Sequence, residues 1–255
     1  MITQLNRFRD LVDHYDAFLI DAWGVLHDGV TPYGGAIEAL RELKSAEKPV
    51  VIISNASRRS EQVAAEMQRL GLTPDLYAHL ATSGEAAWQA LKVRADDQHR
   101  DLGRRCYYLG PDRSRNLMDG LGLDEVSHIE DASFLLVTGV VDPIDELETY
   151  RVILDKALSP NLVLVSANSD RIAISGGKTY YCGGRWPGFT VPWAAPVCIT
   201  ENRICRFIRL VLRRWRVFPK IAFWRWAIPL KPICPVPRTR ASTPCLFKVE
   251  FMATS

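Results

Sequence analysis

The stretch FLIDAWGVLHDGVTPY, from Phe18 to Tyr33, begins as an apolar run and breaks into glycine turns, with one carboxylate, Asp21, at the break. A second apolar run, VVIIS, ends in two small polar residues, Ser54 and Asn55. In open α/β sheets ligands bind outside the carboxyl ends of strands, where loops and helix N-termini converge. A carboxylate facing a hydroxyl and backbone amides across adjacent strand ends suits phosphoryl transfer. The carboxylate attacks phosphorus, while Ser54 and the amides hold the phosphoryl oxygens. A magnesium ion would offset the repulsion between an anionic nucleophile and an anionic substrate. Each candidate also has a plainer reading. Asp21 could cap a turn or helix, and Ser54 with Asn55 could form a strand-ending turn. Asp170, in a later polar loop, would face substrate or close an Asx turn. His27 and Asp28 read as loop residues rather than ligands, and Arg58 and Arg59 as a solvated helix start.

The elements needed to position these groups alternate along the chain. DAFLIDAWG reads as a buried strand. TPYGGAIEALRELKSAE opens with turn chemistry and continues with helical spacing at Ile37, Leu40 and Leu43. KPVVIISNAS is a second strand, and RRSEQVAAEMQRLGL a helix stopped by Gly71. LYAHLATSGEAAWQALKV predicts strand, turn and helix, and RRCYYLGPDRSRNLMDGLG predicts strand, tight loop and helix. ASFLLVTGVVDPIDELETYRVILDKAL predicts a strand, a loop and a long helix. NLVLVSANSDRIAISGGKTYYCGG predicts a strand, a polar loop and a hairpin around Gly176-Gly177. Strands alternating with helices imply a parallel sheet, and strands without polar alternation imply a sheet covered on both faces.

FLIDAWGVLHDG followed by VVIISNASRR resembles the first two motifs of the haloacid dehalogenase-like superfamily, most closely its class IIA, NagD-like branch. YYLGPDRS, LLVTG, SANSDR and GGKTYYCGG are similar, in order, to positions in that branch's cap domain. The resemblance covers about residues 10–184. It implies an α/β fold, a Rossmann-like parallel-sheet core with an inserted α/β cap domain. It implies that Asp21 is a nucleophile forming an aspartyl-phosphate on small phosphate esters, so that the partner is a small phosphorylated metabolite. It implies that Asp21 and the backbone carbonyl of Trp23 bind Mg2+. Ser54 would hydrogen-bond the transferring phosphoryl group, with Asn55 beside it. Trp23 departs from the pattern. Phosphatases of this superfamily carry a second Asp there, to protonate the leaving alcohol and activate water. Indole can do neither.

After about Gly184 the chain changes character. Residues 185–255 hold 13 of the 32 Lys and Arg but 2 of the 29 Asp and Glu, a balance of +11 against −8 for the preceding 184. Four of six cysteines, five of seven tryptophans and nine of fifteen prolines lie there. The lysine motif (often GKP) and the acidic GDxxxTD motif that complete the family's site are not read in this segment. A shifted reading frame accounts for both. With each codon started at the third base of the present one, permitted codons from Gly184 to Ile208 spell ALAWLYRALGGARLYYGKPHLPIY. Those from Lys220 to Pro237 spell NRVLAMGDSLKTDMPGA. Some letters are forced: Trp226-Ala227 must be TGG-GCN, which gives glycine in the other frame. The expectation is a frameshift near Gly183-Gly184, with residues 1–79 forming the N-terminal half of an incomplete core and 80–184 the cap. Residues 185–255 would be a poorly ordered, non-family basic tail that leaves no strand beside the first. The chain is then expected to be catalytically impaired.

The composition, 47% hydrophobic and 24% charged, is ordinary for a soluble globular chain. No apolar run reaches the length of a membrane span. The N-terminus lacks the apolar core of a signal peptide, so a cytoplasmic location is expected. The cysteines lack C-x-x-C spacing, which argues against zinc and a disulfide framework. The rival reading is a non-catalytic binding protein whose basic, aromatic tail contacts nucleic acid or anionic surfaces. An out-of-frame origin makes no specific nucleic-acid partner the expectation.

Overall fold

The computed structural model describes residues 8–95, 97–139, 150, 152–153, 156, 162–168, 170, 172–175, 178–181, 197–199, 221–224 and 247–249. In chain order the elements begin with α1 (Arg9–Val12), β1 (Ala17–Asp21), α2 (Ala36–Ser45), β2 (Val50–Ser54), α3 (Ser60–Arg69) and β3 (His79–Thr82). They continue with α4 (Ser83–Val93), α5 (Asp97–Arg100), β4 (Arg105–Leu109), β5 (Asp124–Glu125), β6 (Phe134–Val137) and β7 (Val163–Ser166). Strands β8 (Ile172–Ser175), β9 (Lys178–Tyr181), β10 (Val197–Ile199), β11 (Ile221–Trp224) and β12 (Phe247–Val249) follow. The chain divides into two compact units, one of Met1–Ser54, Ala64–Ala81 and Ile208–Ser255, the other of Asn55–Val63 and Thr82–Phe207.

The first unit carries a sheet of order β12-β11-β1-β2-β3. Strand β1 pairs in parallel with β2, Phe18 opposite Val50 and Asp21 opposite Ile53. Residues Ala17 to Ile20 of β1 and all five of β2 are buried, as continuous apolar runs in a doubly covered parallel sheet require. Helix α2 buries Ala36, Leu40 and Leu43, one face at helical spacing. Each leucine removed from water there contributes roughly 1.5–3 kcal/mol. Helix α3 ends at Arg69, and Gly71 follows at φ +82° with its Cα facing the Ile37 side chain.

The expectation of no strand beside β1 from beyond residue 184 is not met. IAFW, β11, pairs with β1 in parallel from Ala17–Ile221 to Ile20–Trp224, and β12 pairs with β11. In the second unit β10 likewise pairs with β7. Parallel pairing uses main-chain groups, which every residue but proline supplies, and short apolar runs meet what an open sheet edge requires whatever codons encode them.

The second unit holds a parallel sheet of order β10-β7-β6-β4-β5 and the antiparallel pair β8-β9. Ser175 lies opposite Lys178, so the hairpin falls where Gly176-Gly177 predicts it. One face of the sheet packs Ala87 and Leu91 of α4 against Cys106, Phe134, Leu136 and Val165. The other face packs Leu109, Leu135 and Val137 with Ile129, Tyr150 and Leu162. The helix expected after β4 is a 3-10 turn, Asp112–Met118. Most of the long helix expected after β6 lies outside the described residues, although Tyr150, Val152, Ile153 and Lys156 are helical. No turn separates β3 from α4. Thr82 ends the strand and caps the helix, its hydroxyl accepting from the Glu85 N–H at 3.0 Å.

Candidate active site

Asp21 closes β1 and Ser54 closes β2, at the same carboxyl edge of the sheet. The register sets Asp21 opposite Ile53, and the Ala22 N–H donates to the Ile53 carbonyl at 2.9 Å. Ser54 therefore stands one residue beyond the level of Asp21. Asp21 is partly exposed and Ser54 is buried.

The loop after β1 is tightly built. Leu26 N–H donates to Ala22 O at 2.9 Å, and Gly24 N–H to His27 O at 2.8 Å, with Gly24 at φ +81°. The Trp23 indole meets the His27 ring edge to face, centroids 5.4 Å apart. Nδ1 of buried His27 accepts the Gly29 N–H at 3.0 Å. His27 is thus a packing partner of the indole and a tie within the loop. Asp28 accepts from the N–H groups of Thr31 at 2.7 Å and Val30 at 2.8 Å, and these bonds hold its carboxyl below the usual range. Both residues behave as the loop residues the sequence predicts.

Asn55, the next residue after Ser54, is held by side chains of its own unit. Its Nδ2 donates to Asp170 Oδ1 at 2.8 Å, and Ser83 Oγ donates to its Oδ1 at 3.4 Å. The Asx turn in this region belongs to Asn168, whose Oδ1 accepts the Asp170 N–H at 2.8 Å. Ser83 and Asn168 were missed as site residues. The spacing of Thr82 to Glu85 signals a helix start at Ser83, and SANSD is an Asx pattern, but neither reveals its long-range partner.

Arg59 is not a solvated helix start. Its guanidinium pairs with Glu85 through Nε at 2.6 Å and Nη2 at 3.2 Å, and lies 3.8 Å over the Trp88 ring. Burial raises the Glu85 carboxyl, and the hydrogen bond and charge of Arg59 outweigh it, so the carboxyl ends below its ordinary range. The Cys106 thiol is pushed up to about 12 by burial and is no nucleophile.

The Asp21 carboxylate and the Trp23 carbonyl are hard oxygen donors and fit a magnesium ion that keeps most of its waters. Among the described residues no group of three or more His, Cys, Asp or Glu is placed to hold a metal. None of their helices is long and apolar enough to cross a membrane.

Residues 18–124 match the family model of the haloacid dehalogenase-like hydrolases. The chain is 28% identical over 132 residues to the D-glycerol 3-phosphate phosphatase of Mycobacterium tuberculosis, covering 52% of this chain and 35% of that one. It spans roughly a third of the length of the curated relatives it matches. A haloacid dehalogenase-like hydrolase from Brucella suis superposes with a TM-score of 0.70 at 26% identity, over 83% of this chain and 80% of that one. The glycerol phosphate phosphatase of M. tuberculosis, solved in complex with magnesium, superposes with a TM-score of 0.54 at 19% identity, over 84% of this chain and 62% of that one. That last likeness concerns the fold. Residues 18–124, which include the strand-end carboxylate and hydroxyl, are thus similar to the haloacid dehalogenase-like hydrolases, and the chain shares their parallel-sheet α/β fold.

Proposed function

We propose that the chain derives from a phosphohydrolase of small phosphorylated metabolites and retains the phosphoryl-binding half of its site. The observation that carries this reading is the placement of Asp21 and Ser54 at the carboxyl ends of paired parallel strands. In the reaction a carboxylate oxygen of Asp21 attacks phosphorus, and the bond to the leaving oxygen breaks with its electron pair. The Ser54 hydroxyl and nearby main-chain N–H groups hold the phosphoryl oxygens as charge shifts toward the leaving group. Asn55 stands beside Ser54 as a further ligand. Magnesium, when bound by the Asp21 carboxylate and the Trp23 carbonyl, supplies positive charge against the substrate's negative charge. Trp23 donates no proton to the leaving oxygen, and the chain reads no GKP or GDxxxTD motif. Turnover is therefore impaired, while phosphoryl binding is not thereby lost.

The test is direct. The full chain with magnesium should bind inorganic phosphate, weakened by Asp21→Asn and Ser54→Ala, while failing to turn over 4-nitrophenyl phosphate. Magnesium-dependent turnover lost on Asp21→Asn would overturn the impairment and uphold the nucleophile. The frame proposal is tested on the gene: a one-base correction near codon 184 should open a frame encoding both motifs. Stop codons throughout that frame up to codon 240 would refute it. The charge of residues 185–255 favours the second reading, a basic segment on an anionic partner. It predicts a salt-sensitive nucleic-acid shift lost on deleting 185–255.

A further inference from the structure

We propose that Asp170 is a positioning residue, whose carboxylate locks the Asn55 carboxamide in a single orientation at the end of β2. The inference rests on the reading of Ser54 and Asn55 as a phosphoryl-binding pair.

A carboxamide is nearly symmetrical in shape and opposite in chemistry at its two ends. Free at a strand end, Asn55 could present oxygen or nitrogen to an anion with little steric preference. Oxygen would repel a phosphoryl group and nitrogen would bind it. Asp170 decides between them. A carboxylate only accepts, so Oδ1 of Asp170, 2.8 Å from Nδ2, admits the amide nitrogen and rejects the amide oxygen. Ser83 Oγ donates to the other end, Oδ1 of Asn55, so both ends of the amide meet complementary partners. The nitrogen carries two hydrogens, and the bond to Asp170 takes one. The second remains as a donor whose direction is set by the first.

Hydrogen bonds hold the clamp on both sides. Asp170 lies 115 residues from Asn55 in sequence, in a loop pinned by its own hydrogen bonds. Ser166 Oγ donates to Asn168 O at 2.8 Å, and Asn168 Oδ1 accepts the Asp170 N–H at 2.8 Å. On the Asn55 side, Ser83 is the first residue of α4 and is buried. Direct contact of Asp170 with a phosphorylated ligand is the competing role. It would set two negative groups together, and the observed carboxylate already faces an N–H.

The experiment uses the full chain with 15N-labelled asparagine side chains, titrated with inorganic phosphate in magnesium buffer and read by NMR. Asp170→Ala should shift the Asn55 side-chain resonances and weaken phosphate binding about tenfold, the loss expected for a charge-assisted hydrogen bond. Asp170→Asn can turn its own amide oxygen toward Nδ2 while Ser83 Oγ still donates to the other end of Asn55, so it should restore the resonances and the affinity to within about threefold. Adding Asn55→Ala to Asp170→Ala should cost no more than Asn55→Ala alone, because the two act through one group. If Asp170→Ala does not fold, Asp170→Ser, too short to reach Asn55, takes its place. Unchanged Asn55 resonances in the alanine or serine variant would overturn the proposal. So would an Asp170→Asn chain as impaired as Asp170→Ala, which would mark a direct role for the charge. If the wild-type chain binds no phosphate, the phosphoryl-site reading falls, and the Asn55 resonances still decide whether Asp170 orients the amide.

Discussion

Gly84→Ala sets two effects of known size against each other. Gly84 is the second residue of α4, and alanine in a helix interior is worth about 1 kcal/mol over glycine. A Cβ added there would collide with the Ser57 carbonyl carbon and oxygen and with the Arg58 oxygen. All three are main-chain atoms and cannot rotate away. The Thr82 hydroxyl holds the Arg58 oxygen at 2.8 Å, Ser57 Oγ lies 3.2 Å from Ser114 Oγ, and the Gly84 N–H itself donates to Ala56 O at 2.9 Å. Overpacking against such a wall costs about 1–3 kcal/mol, and contacts this short belong at the upper end. The clash wins by about 1–2 kcal/mol, a fall in Tm of roughly 2–8 °C for a chain of this size. Gly34→Ala is the control, since nothing lies within 4 Å of its added Cβ. It should change stability by less than about 0.5 kcal/mol. Thermal denaturation followed by circular dichroism reads both. A Gly84→Ala chain as stable as wild type would refute the close approach of α4 to residues 56–58.

If the frame is repaired and the chain purified with magnesium, aryl phosphates, which leave as stable anions, should be cleaved far faster than alkyl phosphates. Trp23→Asp should narrow that gap, and Asp21→Asn should abolish both activities; equal rates on the two substrate classes would contradict the missing acid. Glu85→Gln removes half of the Arg59 pair, so Tm at pH 7 should fall by the equivalent of about 1 kcal/mol. Because the Glu85 carboxyl is depressed in the fold, its contribution is full above the ordinary glutamate value of about 4.3 and fades as pH falls through its lower folded value. The loss of Tm on acidification below that point should therefore be shallower in Glu85→Gln, and parallel curves would refute the pairing. A chain ended at Phe207 lacks β11 and β12, leaving the buried β1 with an open edge. Size-exclusion chromatography should find it aggregated; a monodisperse fragment with full circular dichroism would show that β11 contributes nothing.

The strand ends were legible because they announce themselves locally. Continuous apolar runs ending in Asp21 and in Ser54 leave little choice but buried parallel strands, and the hairpin needed only Gly176-Gly177 between two β-prone runs. What escaped was set by partners distant in sequence. Arg59 beside Arg58 looks solvated until Glu85 and Trp88, on another helix, are brought to it. Asp170 shows nothing of Asn55 for the same reason. The segment 112–118 has turn residues at both ends and no sustained apolar stripe, so a 3-10 turn forms where a helix was expected. Trp23 violates the chemistry expected at its position, and only the His27 ring against it shows what the indole does instead. Strand β11 was missed because composition condemned the whole segment, although four of its residues meet the needs of a sheet edge.

The β1–β11 pairing also has a consequence in time. Ala17 leaves the ribosome long before its partner Ile221, roughly 200 residues later. At about 5–20 residues per second that interval is on the order of 10–40 s. Throughout it the nascent chain carries AFLI, a strand whose side chains all end up buried, with one edge unmatched. The intervening unit has a sheet of its own to assemble during the wait. Synthesis thus leaves an unfinished sheet exposed to any passing strand, and the yield of native chain should depend on what shields that edge until the last strands emerge.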